Sequence, residues 1–212
     1  SSIEALGYLV PNYQVRQALY QRVSQAKNIT IKTDSMVDDV EYCETHSKVL
    51  FTAGDQIEAK LVIAADSRFS NIRRKVGIPA LMKDFSKVMT VTKMEHEKTH
   101  NNVALECFDY GQTLALLPMV GNASSVVLTV TTDKSKAMLD MSEADFNAKI
   151  TKDFKGAFGQ MTQSGERHSY PLVGVHAQTF ITDRFALIGD AAVGMHPVTA
   201  HGFNLGLRGQ DI

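Results

Sequence analysis

The sequence predicts an α/β (α+β) fold in which parallel-sheet material is interrupted by a largely antiparallel β-sheet domain. Three observations predict it. Residues 61–65, Leu-Val-Ile-Ala-Ala, form an unbroken apolar run, as in a parallel strand covered on both faces. Residues 85–131 give four successive runs of period-two alternation, as in an antiparallel sheet with one covered face. At Phe185 the texture returns to a short apolar run that meets Gly189-Asp190, the pattern of a strand leading into a ligand-facing turn.

The elements follow in order. Over residues 12–27, Val15, Ala18, Leu19, Val23 and Ala26 recur at helical spacing, with Asn12 as the expected N-cap. Residues 29–33 are β-prone. Residues 37–44 and 48–52 read as two strands of a meander, with a turn at Gly54-Asp55. After the 61–65 strand, a short basic helix over 71–76 stops at Gly77, with Pro79 beyond it. The alternating runs are 85–95, 103–110, 113–119 and 125–131. A helix over 142–158 carries Phe146, Ile150 and Phe154 on one face and opens on Ser142. Strands are expected at 167–170, 175–181 and 185–188.

Composition narrows the function classes. The 212 residues hold 22 Lys plus Arg against 23 Asp plus Glu, a net charge of −1, so no general basic field exists to hold nucleic acid. A hydrophobic content of 44% fits a folded chain and not a disordered one. Cys43 and Cys107 sit in no metal-binding or redox spacing and read as free thiols in a reducing compartment. No run approaches the roughly 20 apolar residues of a membrane-spanning helix, and no signal peptide is visible. The chain opens Ser-Ser without Met and stops within the first turns of a helix begun at 202, so a piece of a longer polypeptide is expected.

Three stretches carry candidate chemistry. His96-Glu97-Lys98-Thr99-His100 is a literal H-E-x-x-H, which on a helix would hold zinc. Its neighbours alternate with period two, so a solvated turn between strands is expected, and no metal. Residues 64–73 run from a strand into a helix, an arrangement suited to phosphate. There Asp66 can bind a hydroxyl or cap the helix, and Arg73 can face a pyrophosphate. The third stretch joins Gly189-Asp190-Ala191-Ala192, Met195-His196-Pro197 and His201-Gly202-Phe203-Asn204. Asp190 can accept hydrogen bonds from a sugar-like hydroxyl, and the helix opening at Gly202 would stabilise developing negative charge.

Residues 187–207 resemble the Gly-Asp flavin motif of the FAD-dependent aromatic hydroxylases, the group typified by p-hydroxybenzoate hydroxylase. Residues 61–74 resemble that group's D-G-x-x-S-x-x-R motif. Leu114 to Met119 and Tyr170-Pro171-Leu172 are most similar to the ubiquinone-biosynthesis hydroxylases. The resemblance implies an incomplete FAD-binding Rossmann-like domain over 1–82 and 183–212, with a substrate-binding sheet domain over 83–182. It implies that Gly189 and Asp190 hold the FAD ribityl chain. Pro197 and the loop 198–201 would lie near the isoalloxazine ring. Gly202, Phe203 and Asn204 would turn backbone N–H groups toward the flavin. Asp66 and Arg73 would lie toward the pyrophosphate and NAD(P)H. Leu116, Leu117, Pro118 and Met119 would line the substrate pocket.

There are departures from the family pattern. Ser67 replaces the motif glycine, Val193 stands where a His is frequent, and Ala200-His201 where Gly-Gln is frequent. His201 is thereby a candidate to act on a substrate phenol, with simple packing as the alternative, and no other catalytic side chain is identified. No G-x-G-x-x-G for the ADP half of FAD is found, so this chain alone is expected to hold FAD poorly. The function implied by the resemblance is hydroxylation of an aromatic polyprenyl phenol or quinol of ubiquinone biosynthesis. NAD(P)H would be the reductant, O2 the co-substrate and a C4a-hydroperoxyflavin the oxidant. Expected partners are a hydrophobic aromatic substrate and other ubiquinone-biosynthesis proteins. Nucleic acid is not among them, and membrane contact is at most peripheral, from a cytoplasmic location at the inner membrane. A prenyl-reducing flavoprotein and a cofactor-free binding module for a quinone precursor are the rival readings.

Overall fold

A computed structural model describes residues 7–109, 111–197 and 201–210. The chain divides into two compact units. One joins the described residues up to Thr30 with Ser86–Pro171, and the other joins Ile31–Phe85 with the described residues from Leu172 onward. The divisions after Phe85 and Pro171 therefore fall inside two long strands, β5 (Ala80–His96) and β10 (His168–Ala177).

In the sheet unit, α1 spans Asn12–Ser24. Pro11, not Asn12, is its N-cap, and the cap makes no side-chain hydrogen bond. The helical spacing holds, but no residue of α1 is buried: Tyr13, Leu19 and Tyr20 are exposed. The sheet is built from the later part of β5, β6 (Leu105–Asp109), β7 (Gln112–Pro118) and β8 (Ala123–Thr131). All three neighbouring pairs are antiparallel, and β9 (Met161–Gln163) pairs with the end of β5. Alternation sets the register: Leu114 faces Leu128 and Leu116 faces Val126 across β7 and β8, and all four point inward.

Two helices follow β8. The polar α3 (Thr132–Asp140) carries no buried residue, so it lacks an apolar period by which sequence could have found it. Helix α4 (Glu143–Asp153) is capped by Ser142, whose Oγ accepts from the Asp145 N–H at 3.1 Å. Its i, i+4 pair Phe146 and Ile150 seals the core with Phe154, Met94 and Met161. The helix stops short of 158 because Lys155 and Gly156 turn left-handed, at φ +54° and +67°.

In the other unit, β1 (Val37–Tyr42), β2 (Ser47–Phe51) and β3 (Gln56–Ala59) form an antiparallel meander. Gly54 makes its second turn at φ +92°. Residues 29–33 form no strand: their β-prone side chains have no ladder to join, and Ile29 and Ile31 are exposed. Strand β4 (Val62–Ala64) pairs in parallel with β12 (Phe185–Leu187), and β11 (Ile181–Thr182) closes the other side of β12 antiparallel.

The order β11-β12-β4 leaves β4 at the edge among the described residues. The 61–65 run is thus parallel as expected but not covered on both faces. Ala64 is buried, whereas Leu61 and Ile63 are 55% and 54% exposed. Helix α2 (Asn71–Lys75), a 3₁₀ turn at Gly189–Ala191, β13 (Val193–Gly194) and α5 (Gly202–Arg208) complete this unit. β13 pairs with the later part of β10 through Val175 and Gly194.

Candidate functional site

The parallel pairing of β4 with β12 brings together two segments far apart in sequence. Ala64 sits opposite Leu187, and the Ile188 N–H donates to the Ala64 carbonyl at 3.0 Å. Both chains leave the sheet at their C-terminal ends, where ligands sit in α/β folds. The turn from β4 runs 65–70 into α2, and the turn from β12 is Gly189–Ala191.

In the first turn, Ser70 and not Asp66 is the helix cap. Ser70 is fully buried, and its Oγ accepts from the Arg73 N–H at 2.9 Å. An alanine there removes one bond to an otherwise orphaned N–H. Ser70→Ala is expected to lower the stability of this unit by about 1 kcal/mol in urea unfolding. No loss at all would show that the cap bond is dispensable. Asp66 stands exposed at the rim of a 400 Å³ recess lined by Met36, Val40, Val49, Val62 and Ile72, so its carboxylate remains available to a ligand hydroxyl.

Arg73 departs most from expectation. It is 2% exposed and faces no pyrophosphate site at the surface. Its Nη1 donates to the carbonyls of Arg68 at 3.1 Å and Ala191 at 3.0 Å. Arg73 is therefore a clamp that ties the first turn to the second. Its buried Nε has no hydrogen-bond partner.

The second turn holds Gly189 and Asp190. Gly189 takes φ +57°, a conformation that favours glycine. Asp190 is exposed, and its Oδ2 accepts from Arg68 Nη2 at 3.1 Å. Helix α5 packs on this turn: a Cβ on Gly206 would lie 3.6 Å from the Gly189 Cα, so small residues let the two backbones approach. Between them is a recess of 220 Å³, walled by Gly189, Ala192, Val193, Gly202, Leu205 and Gly206. Its wall is apolar and glycine-rich with a carboxylate on the adjoining turn, and these residues fit a flat heteroaromatic ring that carries a polyol chain.

The other expected residues are placed as follows. Pro197, His201, Gly202, Phe203 and Asn204 are all exposed, and His201 is the N-cap of α5 without a side-chain cap bond. Residues 198–200 lie outside the described residues. His196 packs edge-on against Phe85, with ring centroids 4.7 Å apart. In the sheet unit, Leu116 is fully buried in the core because its register directs it inward, so it forms no pocket wall there. Leu117, Pro118 and Met119 are partly exposed.

The H-E-x-x-H segment is a turn at the end of β5 with Glu97, Lys98 and Thr99 exposed, as expected, but its two histidines are not solvated. His96 and His100 are each 6% exposed. Their ring nitrogens are engaged by the Lys98 carbonyl, the Ser124 hydroxyl, the Met119 carbonyl and the Asn102 N–H. The pair serves as a buried fastening of the turn. Cys43 and Cys107 are free and partly exposed.

Sequence reasoning missed Arg68 and Gly194. Arg68 Nη1 donates to the Val173 carbonyl at 3.2 Å, and its stem crosses Gly194 so closely that a Cβ there would lie 2.6 Å from Arg68 Cβ. No local pattern marks these two residues, because their partners are remote in sequence.

Comparison with known proteins was consistent with this geometry. A family model described as "FAD binding domain" matches residues 7–211. A ubiquinone hydroxylase, UbiM, of Neisseria meningitidis is 46% identical over 99% of this chain and 45% of its own length. The 3-demethoxyubiquinol 3-hydroxylase of Escherichia coli is 28% identical over 97% of this chain and 52% of its own. The chain spans about half the length of the curated relatives it matches. Among solved structures, the chondrochloren halogenase CndH superposes with a TM-score of 0.77 at 18% identity, covering 95% of this chain and 50% of that one. The likeness to that structure is one of fold.

Proposed function

The chain belongs to the FAD binding domain family, and from that premise we propose that the polypeptide carrying it is an FAD-dependent NAD(P)H:oxygen monooxygenase. Its proposed substrate is an aromatic polyprenyl phenol or quinol of ubiquinone biosynthesis. One observation carries the reading: the 64–73 and 187–194 segments converge at the C-terminal ends of paired parallel strands, with Asp190 and a glycine-lined recess on the exposed side. The similarity to ubiquinone hydroxylases supports the substrate class.

When bound, FAD supplies the redox chemistry with dioxygen, and NAD(P)H supplies the electrons. This chain's own residues bind and orient it. Asp190 accepts hydrogen bonds from the ribityl hydroxyls. Gly189 and Gly206 let the two backbones that wall the recess come together. The start of α5 at Gly202, Phe203 and Asn204 turns backbone N–H groups toward the flavin edge, where they favour negative charge. Leu205, Val193 and Ala192 keep water from the ring. Asp66 faces the pyrophosphate side, and Leu117, Pro118 and Met119 border the substrate.

No helix among the described residues is long and apolar enough to cross a membrane. The protein is proposed to work in the cytoplasm at the inner membrane, where its substrate resides, in association with other enzymes of that biosynthesis.

The test is product analysis with the whole polypeptide under ¹⁸O₂. One ¹⁸O in the ring product supports the reading. A product that gains hydrogen across a prenyl double bond and no oxygen identifies a reductase instead. Substrate binding without flavin or turnover identifies a binding module.

A further inference from the structure

Arg68 lies outside the flavin-contacting residues inferred above, yet three features converge on it. Its Nη2 donates to Asp190 Oδ2 at 3.1 Å, and its Nη1 donates to the Val173 carbonyl at 3.2 Å. The guanidinium is thus fixed at two points, one on β10 and one on the Asp190 turn. Its own carbonyl accepts from Arg73 Nη1, which also holds the Ala191 carbonyl. The backbone of Arg68 is thereby locked to the residue next to Asp190. Finally, Gly194 is bare where the stem of Arg68 crosses. A Cβ there would lie 2.6 Å from Arg68 Cβ and 3.6 Å from both Cδ and Nε, so only glycine lets the side chain follow this path to Asp190.

An exposed ion pair contributes little to folding, about 0–1 kcal/mol, and this one is 29% exposed on Arg68 and 45% on Asp190. A guanidinium anchored on a carbonyl instead selects one orientation of the carboxylate, because the planar fork fixes where the accepting oxygen sits. It engages Oδ2 and leaves Oδ1 to accept from a ligand.

We propose that Arg68 is a positioning residue for the cofactor: it acts through Asp190, holds that carboxylate in the orientation that accepts ribityl hydroxyls, and requires glycine at 194 to reach it. The inference rests on the reading of Asp190 as a ribityl ligand. Arg68 need not touch FAD. Its effect is pre-organisation, so that the carboxylate is not ordered at the moment of binding.

The test is a double-mutant cycle on the whole polypeptide, read as the FAD dissociation constant from quenching of flavin fluorescence, with Tm recorded for each variant. Asp190→Ala is expected to weaken FAD binding by about 10- to 100-fold, the scale of a hydrogen bond to a charged group. Arg68→Ala is expected to weaken it by about tenfold, a coupling typical of side chains in contact, with Tm nearly unchanged. The double variant is expected to bind like Asp190→Ala alone, because Arg68 has nothing left to orient. Arg68→Lys restores part of the loss, since one ammonium cannot reproduce the fork. Gly194→Ala, which leaves both charged side chains in place but blocks the path between them, is expected to lower affinity in the same direction.

Full affinity in Arg68→Ala, or losses that add in the double variant, would overturn the role of Arg68 while leaving the flavin site standing. Full affinity in Asp190→Ala would overturn the assignment of Asp190 and, with it, the inference.

Discussion

Replacing Phe146 with alanine is expected to lower the unfolding free energy of the sheet unit by about 3–5 kcal/mol, the scale of a phenylalanine truncated inside a packed core. Phe146 is 1% exposed and belongs to the cluster of Leu114, Leu116, Val126, Leu128 and Ile150, so truncation leaves a cavity with walls on every side. The Arg167 guanidinium also lies over the Phe146 ring, 4.8 Å from its centroid. Arg167 donates to the carbonyls of Met138 and Met141 at 2.8 and 2.6 Å, which tether the link between α3 and α4. Removing the ring therefore deletes core volume and the face on which Arg167 rests. Urea unfolding followed by circular dichroism reads the effect, with Ile150→Val as a reference of about 0.5–1.5 kcal/mol. A Phe146→Ala loss no larger than that reference would show that the sheet face closes without α4.

Arg73→Ala is the second large effect, expected at about 2–4 kcal/mol. Two carbonyls, of Arg68 and Ala191, lose their side-chain donor, and an unsatisfied buried acceptor costs about 1–3 kcal/mol. Arg73→Met separates the causes. It keeps most of the stem volume, carries no charge and supplies no donor. If Arg73 works as a hydrogen-bonded clamp, Met remains well below wild type. If the guanidinium is mainly a buried charge whose desolvation offsets its bonds, Met matches or exceeds wild type, and the clamp account falls. Urea midpoints of the three proteins decide this, with FAD affinity as a second readout, because the clamp fixes the turn that carries Asp190.

These two residues also mark the limit of what sequence reveals. Phe146, Ile150 and Phe154 were legible as a helix face, because spacing of about 3.6 residues per turn is written locally. Ser142 was legible as the start of that helix for the same reason. The alternation in 85–131 was legible as an antiparallel sheet, but which side of it Leu116 faces was not: it was expected in a pocket wall and lies in the core. Gly189-Asp190 after a short apolar run was legible as a strand running into a turn.

Arg73 was visible as a motif position but misread. Its type suggested a phosphate partner, whereas it is buried and donates to two carbonyls, one of Arg68 close by in sequence and one of Ala191 more than a hundred residues away. Of the two roles open to Asp66, a ligand to a hydroxyl or the helix cap, the second falls to Ser70. His96 and His100 looked solvated in a turn, and only the folded strand ends supply the carbonyls and hydroxyl that bury them.

The sequence by itself determined most of the elements, the class of the fold and the family resemblance. Each of these rests on periodicity, capping or motif order within a few neighbouring residues. Tertiary structure alone decided that β4 pairs with β12, that Arg68 reaches Asp190 over Gly194, that Arg73 is a clamp, and that Leu116 belongs to the core. Those facts depend on non-local strand pairing and on the space left between backbones. No short window of sequence encodes either, because the partners meet only after the intervening chain has folded.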